Sequence, residues 1–357
     1  MKKKYIWLFA TIPFLIFFLL TTTSVQAFAC TYRLVDTITG PGIPPKQPWV
    51  FDISWLDQAS HMYYFADSSN RRVDIVDANS DRLVGSIGGF TGYNGNKAFK
   101  GPDGIVTDNL HQLWVGNGDS TVKVVDLNTR TIVASISTGG KKRADELAYD
   151  ARDQILVVTN GADTPAFATF ISVTSRKILG KLVLPEATEG LEQPLWDAQT
   201  HRFYIAVPSL RQHPGGEIVV VDPFSRHVTA AYPLPGNCHP TGLNLGPRQD
   251  LMVGCDGHPV ILNTTDGHIE ATIYQVSGID EVWYNRGDQS YYLAASTNPS
   301  GSVLAIVDAN TRIWLKNIPT APGSHSVAVN EQNNHIFIPQ DGRGITVYSP
   351  SHTCLLP

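Results

Sequence analysis

Carboxylates are the residues of this sequence best suited to do chemistry. Asp52, Asp103, Asp145, Glu192, Thr241, Asp280 and His325 share one recurring position, so five acids and a histidine fall in a single column. The next position adds Glu146, Gln193 and Glu281. Crowded carboxylates raise one another's pKa and destabilise a fold unless protons, basic side chains or a cation compensate. A hard divalent ion such as Ca²⁺ or Mg²⁺ takes several oxygen ligands, and a histidine among them also admits Mn²⁺ or Zn²⁺. Glu146, Glu192, Glu281 and His325 are therefore the expected ligands of a divalent metal ion, and Asp103 and His239 the groups that move a proton beside it. The structural alternative is that these acids cap strand starts, pair with Lys141, Lys142 or Arg143, or hold channel water. Neighbours in a strand point to opposite sides, so only part of the two columns can face one axis.

A repeat creates the columns. An apolar strand ending in a small or polar residue, a turn, and a second strand usually ending in Asp recur seven times, from YYFAD and VDIVD at residues 63–77 to IFIPQ and ITVYS at residues 336–349. The last residues of the second strands lie 49, 47, 49, 41, 45 and 41 positions apart. A short strand precedes each pair, as at 146–150, and a fourth follows, as at 84–87. Four β-branched-rich strands with turn residues between them and no helical period make an antiparallel sheet. Seven such sheets arranged radially give an all-β, seven-bladed β-propeller. Asp77, Asp126, Asp222 and Asp308 each precede a turn and are expected to cap it. The seventh repeat stops after its third strand, and residues 34–38 (LVDTI) align with 132–136 (IVASI). The N-terminal strand should therefore complete the last blade and remove a raw sheet edge.

Residues 1–27 read as a secretory signal: Lys2, Lys3 and Lys4 precede an apolar stretch, and Val25-Gln26-Ala27 offers small residues for cleavage. Residues 28–357 then form a single propeller domain, secreted or otherwise extracytoplasmic, with no transmembrane span after cleavage. Loss of three lysines moves the formal charge from −5 to −8, 24 basic against 32 acidic residues. That surface suits a soluble monomer and lacks the basic stripe of a nucleic-acid binder. Four cysteines in an exported chain imply two disulfides. Alignment places Cys30 and Cys354 where the termini meet, and Cys238 and Cys255 on neighbouring strands of the fifth repeat.

The strand-turn-strand unit, as in LVVTN at residues 156–160 followed later by a strand ending in VD, resembles the YVTN family of bacterial propeller repeats over residues 32–349. That resemblance implies the fold and spans lactonases, surface-layer proteins and cofactor-enzyme subunits. By architecture the chain is also similar to the gluconolactonase/regucalcin group and to virginiamycin B lyase, which implies a metal in the central funnel. Long loops gather on one face, at residues 88–100, 162–167, 209–216 and 297–301, where Tyr93, Phe167, Asn160 and His213 are candidates to contact a ligand. Trp114, Trp196 and Trp283 occupy strand positions and are assigned to blade packing. Two functions follow from this reading. One is a metal-dependent hydrolase or lyase, lactonase-like, acting on a small polar substrate in the funnel. The other is a non-catalytic propeller that binds a ligand or a protein on the long-loop face, with at most a structural metal.

Overall fold

The computed structural model describes residues 1, 3, 31–40, 42–43 and 48–351. Apart from residues 1 and 3 the proposed signal segment lies outside the described residues, as do Cys30 and Cys354. Seven four-stranded antiparallel sheets make up the described chain. The first runs Ser54–Asp57, Met62–Asp67, Arg72–Asp77 and Arg82–Gly88, and the next five repeat that order up to Ile313–Pro319. Each first strand touches the first strands of the blades before and after it, round to Ala328–Asn330 against Ser54–Asp57. The first strands thus ring a central channel, and the fold is a seven-bladed β-propeller.

Closure follows the sequence expectation. Tyr32–Ile38 pairs antiparallel with Gly344–Pro350, from Tyr32 opposite Pro350 to Ile38 opposite Ile345. A bulge between Leu34 and Asp36 interrupts this pairing. The same irregularity between third and outer strands recurs in the other six blades, for example at Ile75/Val76 and Val124/Val125. A bulge adds local twist. Its presence at Leu34/Asp36 marks the N-terminal strand as the outer strand of the last blade, made from the far end of the chain.

The period-two pattern of the strands fills the space between blades. At the closing seam Tyr63 and Phe337, both fully buried, stack with centroids 4.9 Å apart, and Phe65, Val76, Ile345 and Val347 pack around them. Each such side chain contributes about 1.5–3 kcal/mol by leaving water. The turn aspartates act as caps. Asp77 accepts from the backbone N–H groups of Asn79 and Ser80, Asp126 from Asn128 and Thr129, Asp222 from Phe224 and Ser225, and Asp308 from Thr311. Cys238 and Cys255 form a disulfide with 4.8 Å between Cα atoms. Among the described residues no helix is long and apolar enough to cross a membrane.

Candidate functional site

One backbone device sets the acidic column. The N–H groups of Asp52, Asp103, Asp145 and Glu192 donate to Ala66, Gly116, Thr159 and Ala206, the penultimate residues of the second strands in blades one to four. Each acid is thereby fixed just before its inner strand, on the face of the inter-blade loops. Glycines let the blades approach there. A Cβ on Gly116 would lie 2.3 Å from the Asp145 carbonyl oxygen, and one on Gly104 would lie 2.6 Å from the Glu146 Cα.

The column opens into a funnel of about 590 Å³. Asp52, Asp145, Glu146, Glu192, Asp280 and His325 line it, with Tyr93 and Lys97 toward the outside. Asp103 lies beneath, fully buried. Carboxylate oxygens of Asp52, Asp103 and Asp145 come within 4.8 Å of one another. Oxygens that share an ion at about 2.0–2.6 Å fall within that range.

Two cations enter this cluster. Lys100, 6 % exposed, places Nζ 2.7 Å from Asp52 Oδ2 and 3.5 Å from Asp103 Oδ1. Arg143 holds Asp145 Oδ2 through Nε and Nη2, both at 2.6 Å, and donates through Nη1 to the Lys97 carbonyl. Of the cluster's four buried carboxylate oxygens without a hydrogen-bond partner among the described residues, Asp52 Oδ2 and Asp103 Oδ1 face the Lys100 ammonium, and Asp103 Oδ2 and Glu146 Oε2 have neither hydrogen bond nor ion pair. Six carboxyl groups, counting Asp103, thus surround two inward cations. A buried, unmatched carboxylate is costly, so protons or further positive charge must balance it.

The electrostatics follow from this imbalance. Burial pushes Asp103 well above the usual carboxylate range, opposed by Lys100 and reinforced by Asp52. Burial likewise raises Asp145 against the pull of Arg143. Burial also raises Glu146 well above its ordinary value, with Glu192 and Asp145 adding to it, and raises Glu192 with Asp145 and Asp280 adding to it. Asp280 is raised by burial although His325 opposes the shift. Asp52 goes the other way: burial resists, but Lys100 and Arg143 together hold it below the ordinary range. The shifts therefore run in opposite senses across the funnel, with Asp52 moved toward its charged form and the acids around it toward their neutral form.

His325 stacks flat on Phe51, with centroids 4.4 Å apart, and its Nδ1 lies 2.6 Å from the Gly323 carbonyl oxygen. A carbonyl only accepts, so Nδ1 carries the hydrogen, and Nε2 is the ring nitrogen left to hold or give up a proton. Nε2 is 4.0 Å from Asp52 Oδ1. Such a ring can act as a base or as a ligand, with its tautomer set by the backbone.

The residues singled out from the sequence divide among several places. Glu146, Glu192, His325 and Tyr93 share the funnel. Glu281 lies one layer deeper, where its carboxylate accepts from the Val327 N–H at 2.8 Å and, with Glu146 and Gln193, lines a void of about 30 Å³. Room of that size admits a water molecule. Burial raises Glu281 well above its ordinary range, countered by its bonds to Ser326 and Val327. The remaining candidates do not line the funnel. His239 Nδ1 lies 3.0 Å from Glu189 Oε2 at the rim. Asn160 is buried and donates to Ser120 Oγ and the Arg143 carbonyl. Phe167 lies under the Lys181 ammonium, and His213 Nε2 is 3.9 Å from Glu217. Sequence reasoning missed Lys100. The signal was available: Lys100 precedes Asp103 in an inter-blade loop much as Arg143 precedes Asp145.

No family model matches the chain, and no curated protein is similar to it at a significant level.

Proposed function

We propose that this chain is an exported propeller of YVTN type whose funnel binds a divalent cation and supports a hydrolase or lyase reaction on a small polar substrate. Asp103 is the observation that carries this reading: its carboxyl is fully buried, and Oδ2 has no partner among the described residues. The all-oxygen trio of Asp52, Asp103 and Asp145 suits a hard ion such as Ca²⁺, Mg²⁺ or Mn²⁺ better than Zn²⁺. Glu146 and Asp280 are further oxygen donors that line the funnel, which leaves Glu192 and the Nε2 of His325 for proton transfer. Glu281, a layer below, is better suited to hold a water beneath Glu146 than to ligate.

A bound divalent ion would supply charge to polarise a substrate carbonyl. The chain's own groups then divide the proton work. His325 can take a proton at Nε2, and Glu192, whose proton is held by burial and by the neighbouring acids Asp145 and Asp280, can give one. His239, at the rim beside Glu189, could accept a proton only from a substrate that reaches out of the funnel. The second reading is a binding protein without catalysis. It is favoured by Lys100 and Arg143, which already neutralise part of the trio and fit a purely structural cluster. Secretion, a 28–357 domain and a monomeric state belong to both readings.

A panel of γ- and δ-lactones assayed with Ca²⁺, Mg²⁺, Mn²⁺ or Zn²⁺, and with chelator, separates the two. The enzyme reading requires hydrolysis that chelator abolishes and Asp103→Asn reduces by at least about tenfold. An ion that binds while no ester, lactone or elimination substrate turns over leaves the binding reading. Activity that survives chelation overturns the metal-dependent mechanism.

A further inference from the structure

The channel has a second mouth on the face of the short turns, built from different chemistry. A bowl of about 790 Å³ opens there, lined by Trp55, Trp196, Trp283, Tyr284, Gln199 and Asn244 among others. It is separated from the acidic funnel by the small void that Glu146 and Glu281 share with Trp55 and Trp283. Its volume lies within the range of small-molecule sites. We infer that this bowl is a carbohydrate-binding site, taking one or a few sugar rings of a neutral saccharide, independent of any ion in the funnel.

Three observations lead there. The first is the set of aromatic planes: two indoles, Trp55 and Trp283, meet edge to face with centroids 5.7 Å apart, and Trp196 and Tyr284 add two more rings to the lining. Flat apolar faces suit the C–H side of a sugar ring. The second is unspent hydrogen-bonding capacity. Six tryptophans are described, and Trp49, Trp55, Trp114 and Trp314 each donate their indole N–H to a protein acceptor. Trp196 and Trp283, both on the bowl, find none among the described residues. Neither nitrogen is among the buried unpartnered atoms, so both N–H groups reach solvent in the bowl and are free to donate to a ligand hydroxyl. Asn244 spends its amide N–H on the Val282 carbonyl, and no donor to its Oδ1 is found among the described residues.

The third observation concerns charge. At the rim, Asp57 is tied to the Ala59 N–H and the Ser60 hydroxyl, and Asp197 to the Gln199 N–H, the Thr200 hydroxyl and the Gln249 amide. These carboxylates are spent on turns. Arg286 and Glu331, one charge of each sign, also line the bowl, and the rest of its lining is largely rings, indole N–H groups and amides, which match hydroxyls rather than an ion.

Titration with cellohexaose, maltohexaose and chitohexaose, followed by tryptophan fluorescence and by calorimetry, tests this. At least one should bind, with Trp196→Ala weakening it about tenfold, since a stacked ring is worth on the order of 1 kcal/mol. Trp196→Phe, which keeps a ring and loses the N–H, should fall between wild type and alanine, and covers the case in which alanine unfolds the blade. Chelator and Glu192→Gln should leave the affinity unchanged, because the two mouths are separate. The inference is overturned if none of the three saccharides binds at about 10 mM, a level that detects millimolar affinity. It is equally overturned if binding ignores both Trp196 variants, or if Glu192→Gln abolishes it.

Discussion

Lys100→Met distinguishes a cluster that merely neutralises itself from one that takes a metal ion. The substitution keeps the aliphatic stem and deletes an ammonium 2.7 Å from Asp52 and 3.5 Å from Asp103. Removing one partner of a buried ion pair costs about 3–5 kcal/mol. With unfolding entropy near 2.1 cal/mol/K per residue, a chain of this length should lose about 4–7 °C in Tm in chelator. A divalent ion then has the trio without a competing cation. Saturation to about a hundredfold over Kd returns about 2.7 kcal/mol, most of the loss. Thermal unfolding of wild type and variant, in chelator and across a series of Ca²⁺ and Mn²⁺ concentrations, reads this directly. The variant should show the larger ion-induced rise and half-maximal effect at a lower concentration. A variant destabilised as expected but unmoved by either ion would refute the reasoning, for Lys100 would then be a purely structural counter-charge.

Stability without ions should fall as pH rises from about 4 to about 8. Asp103, Asp145, Glu146, Glu192, Asp280 and Glu281 are all raised, and Asp74 is pushed up to about 8 by burial and by Asp67 against Arg72. The folded chain keeps protons that the unfolded chain has released near its ordinary carboxylate pKa, so their stabilising effect is full below that value and lost through the folded one. Asp52, shifted down, works in the opposite sense below that window. Tm measured against pH in chelator should slope downward over the window, and a flat or rising profile contradicts it; added cation should flatten the slope, since binding releases those protons. Deleting residues 28–39 should open the seventh blade and give concentration-dependent association by light scattering, whereas an unchanged monomer with unchanged melting would contradict the closure. Cys238→Ser should cost about 2–5 kcal/mol in denaturant unfolding, with little loss arguing that the hairpin carries itself.

The fold was legible because each blade repeats one local rule. The turn aspartates and the strand alternation are satisfied within a single repeat, so Asp77 and Asp126 announce their turns without reference to the rest of the molecule. The acidic column was legible for a related reason: Asp52, Asp103, Asp145 and Glu192 share a backbone hydrogen bond to their own blades, and alignment of repeats therefore aligns their places in space. What crosses between repeats was not legible. Lys100 reaches Asp52 of the preceding blade, 48 positions away in the chain, a contact set by the side-chain path of a long inter-blade loop. Glu146 and Glu281 share one column in the sequence, yet Glu146 lines the funnel while Glu281 turns to the Val327 N–H of the next blade and reaches only the void below. Tryptophans divide likewise. Trp114, Trp196 and Trp283 all pack in blade cores as expected, Trp196 against Phe203 with centroids 4.7 Å apart, but Trp114 is fully buried and donates to Asp108, while Trp196 and Trp283 also line the lower mouth.

Metal stoichiometry by elemental analysis, on purified protein dialysed against buffer containing Ca²⁺, Mg²⁺, Mn²⁺ and Zn²⁺, tests the central claim most directly. Wild type should retain close to one equivalent of a divalent ion, Asp103→Asn should retain little while remaining folded by circular dichroism, and Asp126→Asn on the opposite face should match wild type. A folded wild-type protein that carries no ion after this exchange, and whose melting no divalent ion raises, would contradict the account.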